Sequence, residues 1–253
     1  MNNIILITGA TSGFGEAAAY KFAQNNWNII ITGRRKDRLD IVENTLKEKY
    51  NATVLSLNFD VRSIEEVQAA ISSLPEKWKN VDVLLNNAGL GAGRGPIQEG
   101  LYEDWDQMID TNVKGLLYMT REVAPLMMKR KKGHIINVSS LAGWEVYGGG
   151  NVYCATKHAV RAITRSTRID LLPYNIKVSV ISPGAAETEF SLVRFKGDSK
   201  KANAMYEGYQ PLSAEDVAES IYFMAMQPSH VNIEEILILP TAQANATVTN
   251  KGN

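Results

Sequence analysis

Seven short apolar runs alternate with six stretches of helical periodicity along the 253 residues of the chain. The runs lie at 4–8, 28–32, 53–57, 81–86, 134–138, 177–181 and 233–239, and the helical stretches at 13–25, 36–50, 64–73, 104–131, 152–172 and 214–226. The runs are too continuously apolar to have one wet face. Strands of that kind lie buried in parallel sheets covered by helices on both sides. Right-handed crossovers then predict a doubly wound α/β fold with a seven-stranded parallel sheet. No repeat, low-complexity tract or Pro/Ser-rich linker breaks the pattern, so residues 1–253 are expected to form a single domain.

Lysine plus arginine and aspartate plus glutamate are both 27, and this balance invites neither nucleic acid nor a polyanionic surface. The lone cysteine, Cys154, has no partner for an internal disulfide, which suits a reducing compartment. Run 4–8 reads as the first core strand and leaves no room for a cleavable leader. No run approaches the roughly 18 apolar residues of a membrane span. A soluble, cytoplasmic protein without a membrane partner is the expectation.

Between the first run and the first helix stands Thr8-Gly9-Ala10-Thr11-Ser12-Gly13-Phe14-Gly15. A glycine turn there lets backbone amides and the helix N-terminus approach a pyrophosphate. The second run ends Thr32-Gly33-Arg34-Arg35, with no carboxylate until Asp37. A carboxylate at that place would bond a ribose 2′-hydroxyl, whereas two guanidiniums suit a 2′-phosphate, so NADP(H) is expected rather than NAD. The alternative, a solvated basic helix start, sets cations against the helix dipole. Asp60-Val61 is placed to meet the adenine, and Asn87-Ala88-Gly89 to let the adenosine lie against backbone. Asn86 admits two readings, direct contact or strand tethering. Loops 89–100 and 183–212 leave the carboxyl ends of strands, where ligands bind in such sheets, and are expected to wall a small-molecule substrate site.

Tyr153 and Lys157 stand four apart at the start of a helical stretch, on one face and one turn from each other. A phenol of pKa about 10 is a poor base at neutral pH, but an ammonium and a positive nicotinamide both favour its anion. Tyr153 could then deprotonate an alcohol or protonate an alkoxide. Ser140, at the end of the fifth run, is placed to donate to the substrate oxygen.

Together these residues resemble the short-chain dehydrogenase/reductase family over essentially the whole chain: Thr8-Gly9 through Gly15, Asn86-Asn87-Ala88-Gly89, Asn112, Ser140, Tyr153/Lys157 and Pro183-Gly184 to Thr188. The resemblance implies a Rossmann fold and a homotetramer. It implies a catalytic tetrad completed by Asn112, whose kinked helix lets a water link it to Lys157. Pro183, Gly184 and Thr188 would hold the nicotinamide carboxamide. Within the family the chain looks most like the NADP-dependent 3-hydroxy acid (serine/allo-threonine) dehydrogenases, through 102–112, 149–153, 188–198 and 230–233. Those enzymes oxidise the 3-hydroxyl of short hydroxy acids or reduce the matching semialdehydes and ketones. A carboxylate substrate needs a cation. Arg194 is the candidate, with Lys196 beside it, and a solvated loop charge is the alternative for both. Two features depart from the resemblance: glycine-rich 91–95 adds Arg94, and Cys154 sits beside Tyr153.

His134, His158 and His230 have no metal-ligand spacing, and no metal is expected. Residues 129–132 are cations in a last helical turn, Cys154 points away on its helix, and Trp105 with Met108 reads as packing. Two rival functions stay open. One is a carbonyl reductase for neutral ketones in a roomy glycine-walled pocket; the other is a non-catalytic NADP-binding sensor.

Overall fold

In the computed structural model, which describes residues 2–252, seven parallel strands form one sheet in the order β3-β2-β1-β4-β5-β6-β7. The strands are β1 (Ile4–Ile7), β2 (Asn28–Gly33), β3 (Val54–Asn58), β4 (Val81–Asn86), β5 (Gly133–Val138), β6 (Ile176–Pro183) and β7 (Glu235–Ile238). The main helices are α1 (Gly13–Gln24), α2 (Lys36–Tyr50), α3 (Ile64–Ser72), α4 (Tyr102–Ile109), α5 (Leu116–Arg130) and α6 (Asn151–Leu171). Short α7 (Glu189–Arg194) and α8 (Ser199–Ala204) precede α9 (Ala214–Ala225). The expected runs and helices are present, with boundaries moved by a residue or two.

Alternate residues of each strand enter different cores. Ile5 and Ile7 of β1 face α1, α2 and α9, where Phe22 meets Tyr222 edge-on, while Ile4 and Leu6 face the side of α3 and α5. Three buried alanines, Ala17 to Ala19, give α1 a slim face that lets it press on the sheet. Ser63 caps α3, and Ser213 with Asp216 forms a capping box on α9, so both helices start where their apolar faces begin. β2 and β3 lie to one side of β1 and β4 to the other. The resulting crevice opens beyond the carboxyl ends of β1 and β4, where such sheets bind ligands.

One expected helix differs. Stretch 104–131 is broken between α4 and α5 by a π turn, Asp110–Gly115, which widens the coil and turns Asn112 inward. No helix among the described residues is long and apolar enough to cross a membrane, and they hold no His/Cys/Asp/Glu group that could bind a metal.

His134 is a core residue. Its Nε2 lies 2.8 Å from Ser179 Oγ, its Nδ1 has no partner, and burial, aided by Lys177, pushes the imidazole down to about 3. Below the unfolded value of about 6.5 the unfolded chain takes up a proton that the folded chain refuses, so stability is lost as pH falls. At pH 5 this amounts to about 2 kcal/mol relative to pH 7. Denaturant titrations at the two pH values should show that loss in the parent and a smaller one in His134→Gln. Equal losses would mean other groups carry it.

Candidate active site

The residues expected to hold a dinucleotide converge on one cavity of about 520 Å³ at the carboxyl edge of the sheet, a size typical of small-molecule sites. Every expected cofactor residue lines it except Gly15, which sits beneath the turn. Gly9 has a φ of +66°, a backbone that favours glycine, and a Cβ on Gly15 would collide with Gly9 O and the Asn87 amide. Asn87 ties the turn down by donating Nδ2–H to Thr8 O (2.9 Å) and Gly9 O (3.0 Å). Thr8 Oγ1 accepts from the amides of Asn87 and Ala88, so the turn and the end of β4 are one unit. Asn86 is strand tethering: its amide donates to Thr120 and Asn137 in the core.

Arg34 and Arg35 lie on the cavity wall with about half of each side chain exposed. Arg35 donates to Thr11 Oγ1 and Ser12 Oγ (both 3.0 Å) and pairs with Glu189 Oε2 at 2.9 Å, a carboxylate brought from far along the chain. Arg34 is held more loosely, 3.7 Å from Asp60, which in turn binds Arg62. Val61 packs on Gly115 of the π turn. Thr188 caps α7 and stands over Gly13, joining the glycine turn to the far wall. The residues fit a bound dinucleotide phosphate. One further sign is Thr111 Oγ1, buried on the cavity wall without a hydrogen-bond partner; sequence reasoning did not single it out.

Ser140, Tyr153 and Lys157 line the same cavity, while Asn112 is set back behind Gly89. Asn112 Oδ1 accepts from Leu90 N and its Nδ2 donates to Leu90 O, both at 2.8 Å, holding the loop that follows β4. A methyl on Gly89 would lie 3.2 Å from Asn112 Oδ1 and 3.3 Å from Lys157 Nζ, so that glycine marks where the amide and the amine come together. Lys157 is buried and donates to Val138 O at 3.0 Å, and burial pushes its ammonium down to about 8. Burial pushes the Tyr153 phenol up to about 12. The main opposing pull is the Arg194 guanidinium, followed by the Ser140 hydroxyl.

Lys157 Nζ lies 5.9 Å from the Tyr153 ring centroid with its charge turned to a backbone carbonyl, whereas Arg194 Cζ lies 4.6 Å above the same ring. Arg194 is no solvated loop charge. It ends α7, is only 7% exposed, donates to Tyr147 Oη at 2.6 Å, and sits among Tyr147, Tyr153 and Phe190 with its Nε unpartnered. Lys196 is half-exposed and pairs with Asp104 at 3.0 Å, outside the cavity. Cys154, Met108 and Trp105 pack in a small core beneath Tyr153.

Sequence reasoning missed Tyr147, Phe190 and the C-terminal strap. Gln243 accepts from Ala185 N, Ala246 N donates to Glu145, and both strap residues line the cavity. Through these two bonds segment 239–248 packs against loops 183–188 and 141–150 of its own chain.

This sheet, its glycine turn and a Ser-Tyr-Lys group around one cavity define an oxidoreductase of the dinucleotide-binding α/β class. The chain matches the short chain dehydrogenase family over residues 3–197 and belongs to it. It is 46% identical to the NADP-dependent 3-hydroxy acid dehydrogenase YdfG of Salmonella typhi over 96% of this chain and 97% of that protein. It is 44% identical to sulfoacetaldehyde reductase 2 of Chromohalobacter salexigens, over 96% of each. The closed form of serine dehydrogenase complexed with NADP+ superposes with a TM-score of 0.92 at 44% identity, covering 97% of this chain and 98% of that one.

Proposed function

We propose that the protein exchanges a hydride between NADP(H) and short 3-hydroxy acids such as serine, allo-threonine or 3-hydroxypropionate, or their semialdehydes and ketones. The observation that carries this reading is Arg194: a buried guanidinium on the cavity wall, beside Tyr153, with no carboxylate partner among the described residues. A buried charge is stable only when paired or solvated by polar groups, so an anionic substrate is its natural complement. The relatives named for 3-hydroxy acid and serine oxidation support the same choice, and their NADP supports the reading of Arg34 and Arg35 as 2′-phosphate ligands.

Bound NADP+ supplies the hydride acceptor for the hydrogen on the carbinol carbon. The protein handles the proton. Ser140 donates to the substrate oxygen and orients it, and Tyr153 as phenolate takes the hydroxyl proton. Arg194 holds the carboxylate and at the same time lowers the phenol's pKa. Lys157 and Asn112, meeting at Gly89, carry the proton onward. In reduction the steps reverse, with the phenol as donor. In this reading the enzyme is cytoplasmic and a homotetramer. Ile109 and Leu117 near the α4–α5 junction, and Ile169 and Leu172 at the end of α6, are exposed apolar side chains that a pairing of these helices between subunits would cover.

The test compares kcat/KM, at saturating NADP+, for 3-hydroxypropionate and for its uncharged ester. The acid should be favoured at least tenfold, about 1.4 kcal/mol of transition-state binding. An ester that equals or outperforms the acid would favour the neutral-ketone reductase instead.

A further inference from the structure

We propose that Arg94 is a second anion-binding residue of the substrate site, so that preferred substrates are short 3-hydroxy acids bearing another anionic group beyond the carbinol carbon. This inference rests on the 3-hydroxy acid reading above and extends it from mono- to dianions. Arg94 and Arg194 both line the cavity, and both guanidiniums lie over Tyr147, 5.5 and 5.7 Å from its ring centroid. Neither has a carboxylate within ion-pair distance among the described residues. The hydrogen-bond partner of Arg94 is the Met205 sulfur at 3.5 Å, a weak acceptor, while Arg194 keeps a buried, unpartnered Nε.

Arg94 is also held in place by its backbone. Gly93 N donates to Arg194 O at 3.1 Å, coupling the two arginines through one hydrogen bond. On the other side Gly95 N donates to Gly149 O at 3.3 Å, and Asn151 Nδ2 donates to Gly95 O at 3.0 Å. The clamps fix the backbone on both sides of Arg94, so its exposed side chain starts from a set point on the cavity wall. Two like charges sharing a ring without counter-charge repel each other, and an incoming dianion relieves the repulsion while satisfying both forks. One carboxylate then meets Arg194 near Tyr153, and the second anionic group meets Arg94 at the mouth.

The experiment measures kcat/KM for 3-hydroxyglutarate and 3-hydroxybutyrate with saturating NADP+ in the parent, Arg94→Gln, Arg94→Lys and Lys196→Gln. The parent should favour the dianion at least tenfold. Arg94→Gln should cut that ratio about tenfold, Arg94→Lys should retain most of it, and the ratio in the parent should fall as ionic strength rises. Lys196→Gln, whose cation lies outside the cavity, should leave the ratio at the parent value. A parent ratio near one, or a ratio that Arg94→Gln does not change, would overturn the proposal. Either result could stand with a strong preference of acid over ester. Loss of that separate preference would instead remove the underlying 3-hydroxy acid reading.

Discussion

Tyr153→Phe is expected to lower kcat for alcohol oxidation about a thousandfold, within the range general acid–base catalysis supplies, and to leave NADPH binding within about threefold of the parent. The ring's packing is kept. It stacks at a tilt on Phe190, centroids 5.4 Å apart, above the small core of Met108, Ala142 and Cys154, and no carbon of that assembly is removed. What disappears is the oxygen proposed to take the proton. Burial raises the phenol to about 12, so its anion is scarce at neutral pH and oxidation should quicken as pH rises. The pull of Arg194 would be joined by that of a positive nicotinamide when NADP+ is bound, which would move that rise to lower pH. Steady-state rates between pH 6 and 10 would show the rise in the parent and its absence in the variant. NADPH fluorescence titration would separate chemistry from binding. A variant within tenfold of the parent would remove Tyr153 from the proton path and reopen the cofactor-sensor reading.

The sheet was legible because its central strands are buried on both faces. Continuous runs such as Ile4–Ile7 and Val81–Asn86 carry their environment in their composition, and the glycine turn fixes where the first helix starts. The π turn at Asp110–Gly115 was not legible, since one extra residue in a coil barely disturbs a periodicity averaged over 104–131. The resemblance implied a kink there; residue spacing did not. The roles of paired residues were legible only as far as local geometry reaches. Tyr153 and Lys157 share a helix face, yet the lysine also donates to Val138 O, a partner in β5 that no local spacing could reveal. The box around Arg194 is assembled from Tyr147, Tyr153 and Phe190, in three separate segments, so the burial of this candidate carboxylate ligand in the cavity wall could not be read from its loop. The C-terminal strap has no periodicity at all, and its place over the cavity depends on two side-chain hydrogen bonds, Gln243 to Ala185 and Glu145 to Ala246.

Arg194→Met should lower kcat/KM for a 3-hydroxy acid relative to its ester about a hundredfold, matching the roughly 2–5 kcal/mol lost when one partner of a buried charge pair is removed. Methionine keeps length and apolar contact with Tyr147, Tyr153 and Phe190, so the aromatic box should survive. The thermal midpoint and NADPH affinity of the variant check that it does. The ratio is the right readout because Arg194 is proposed to act twice. It faces the substrate cavity, and it is the main influence lowering the Tyr153 phenol against burial. Its removal therefore slows oxidation of acid and ester alike by pushing the phenol further up, and taking the ratio cancels that shared loss. The shared loss is itself measurable: the rise of oxidation with pH should move to higher pH in Arg194→Met, while reduction, which uses the protonated phenol, should change little for a neutral ketone. A residue that merely filled space would shift neither the acid-to-ester ratio nor the pH dependence. If the ratio collapses but the pH dependence stays, Arg194 binds the carboxylate and something other than its charge sets the Tyr153 equilibrium. If the pH dependence moves but the ratio holds, the guanidinium tunes the base and the carboxylate is bound elsewhere.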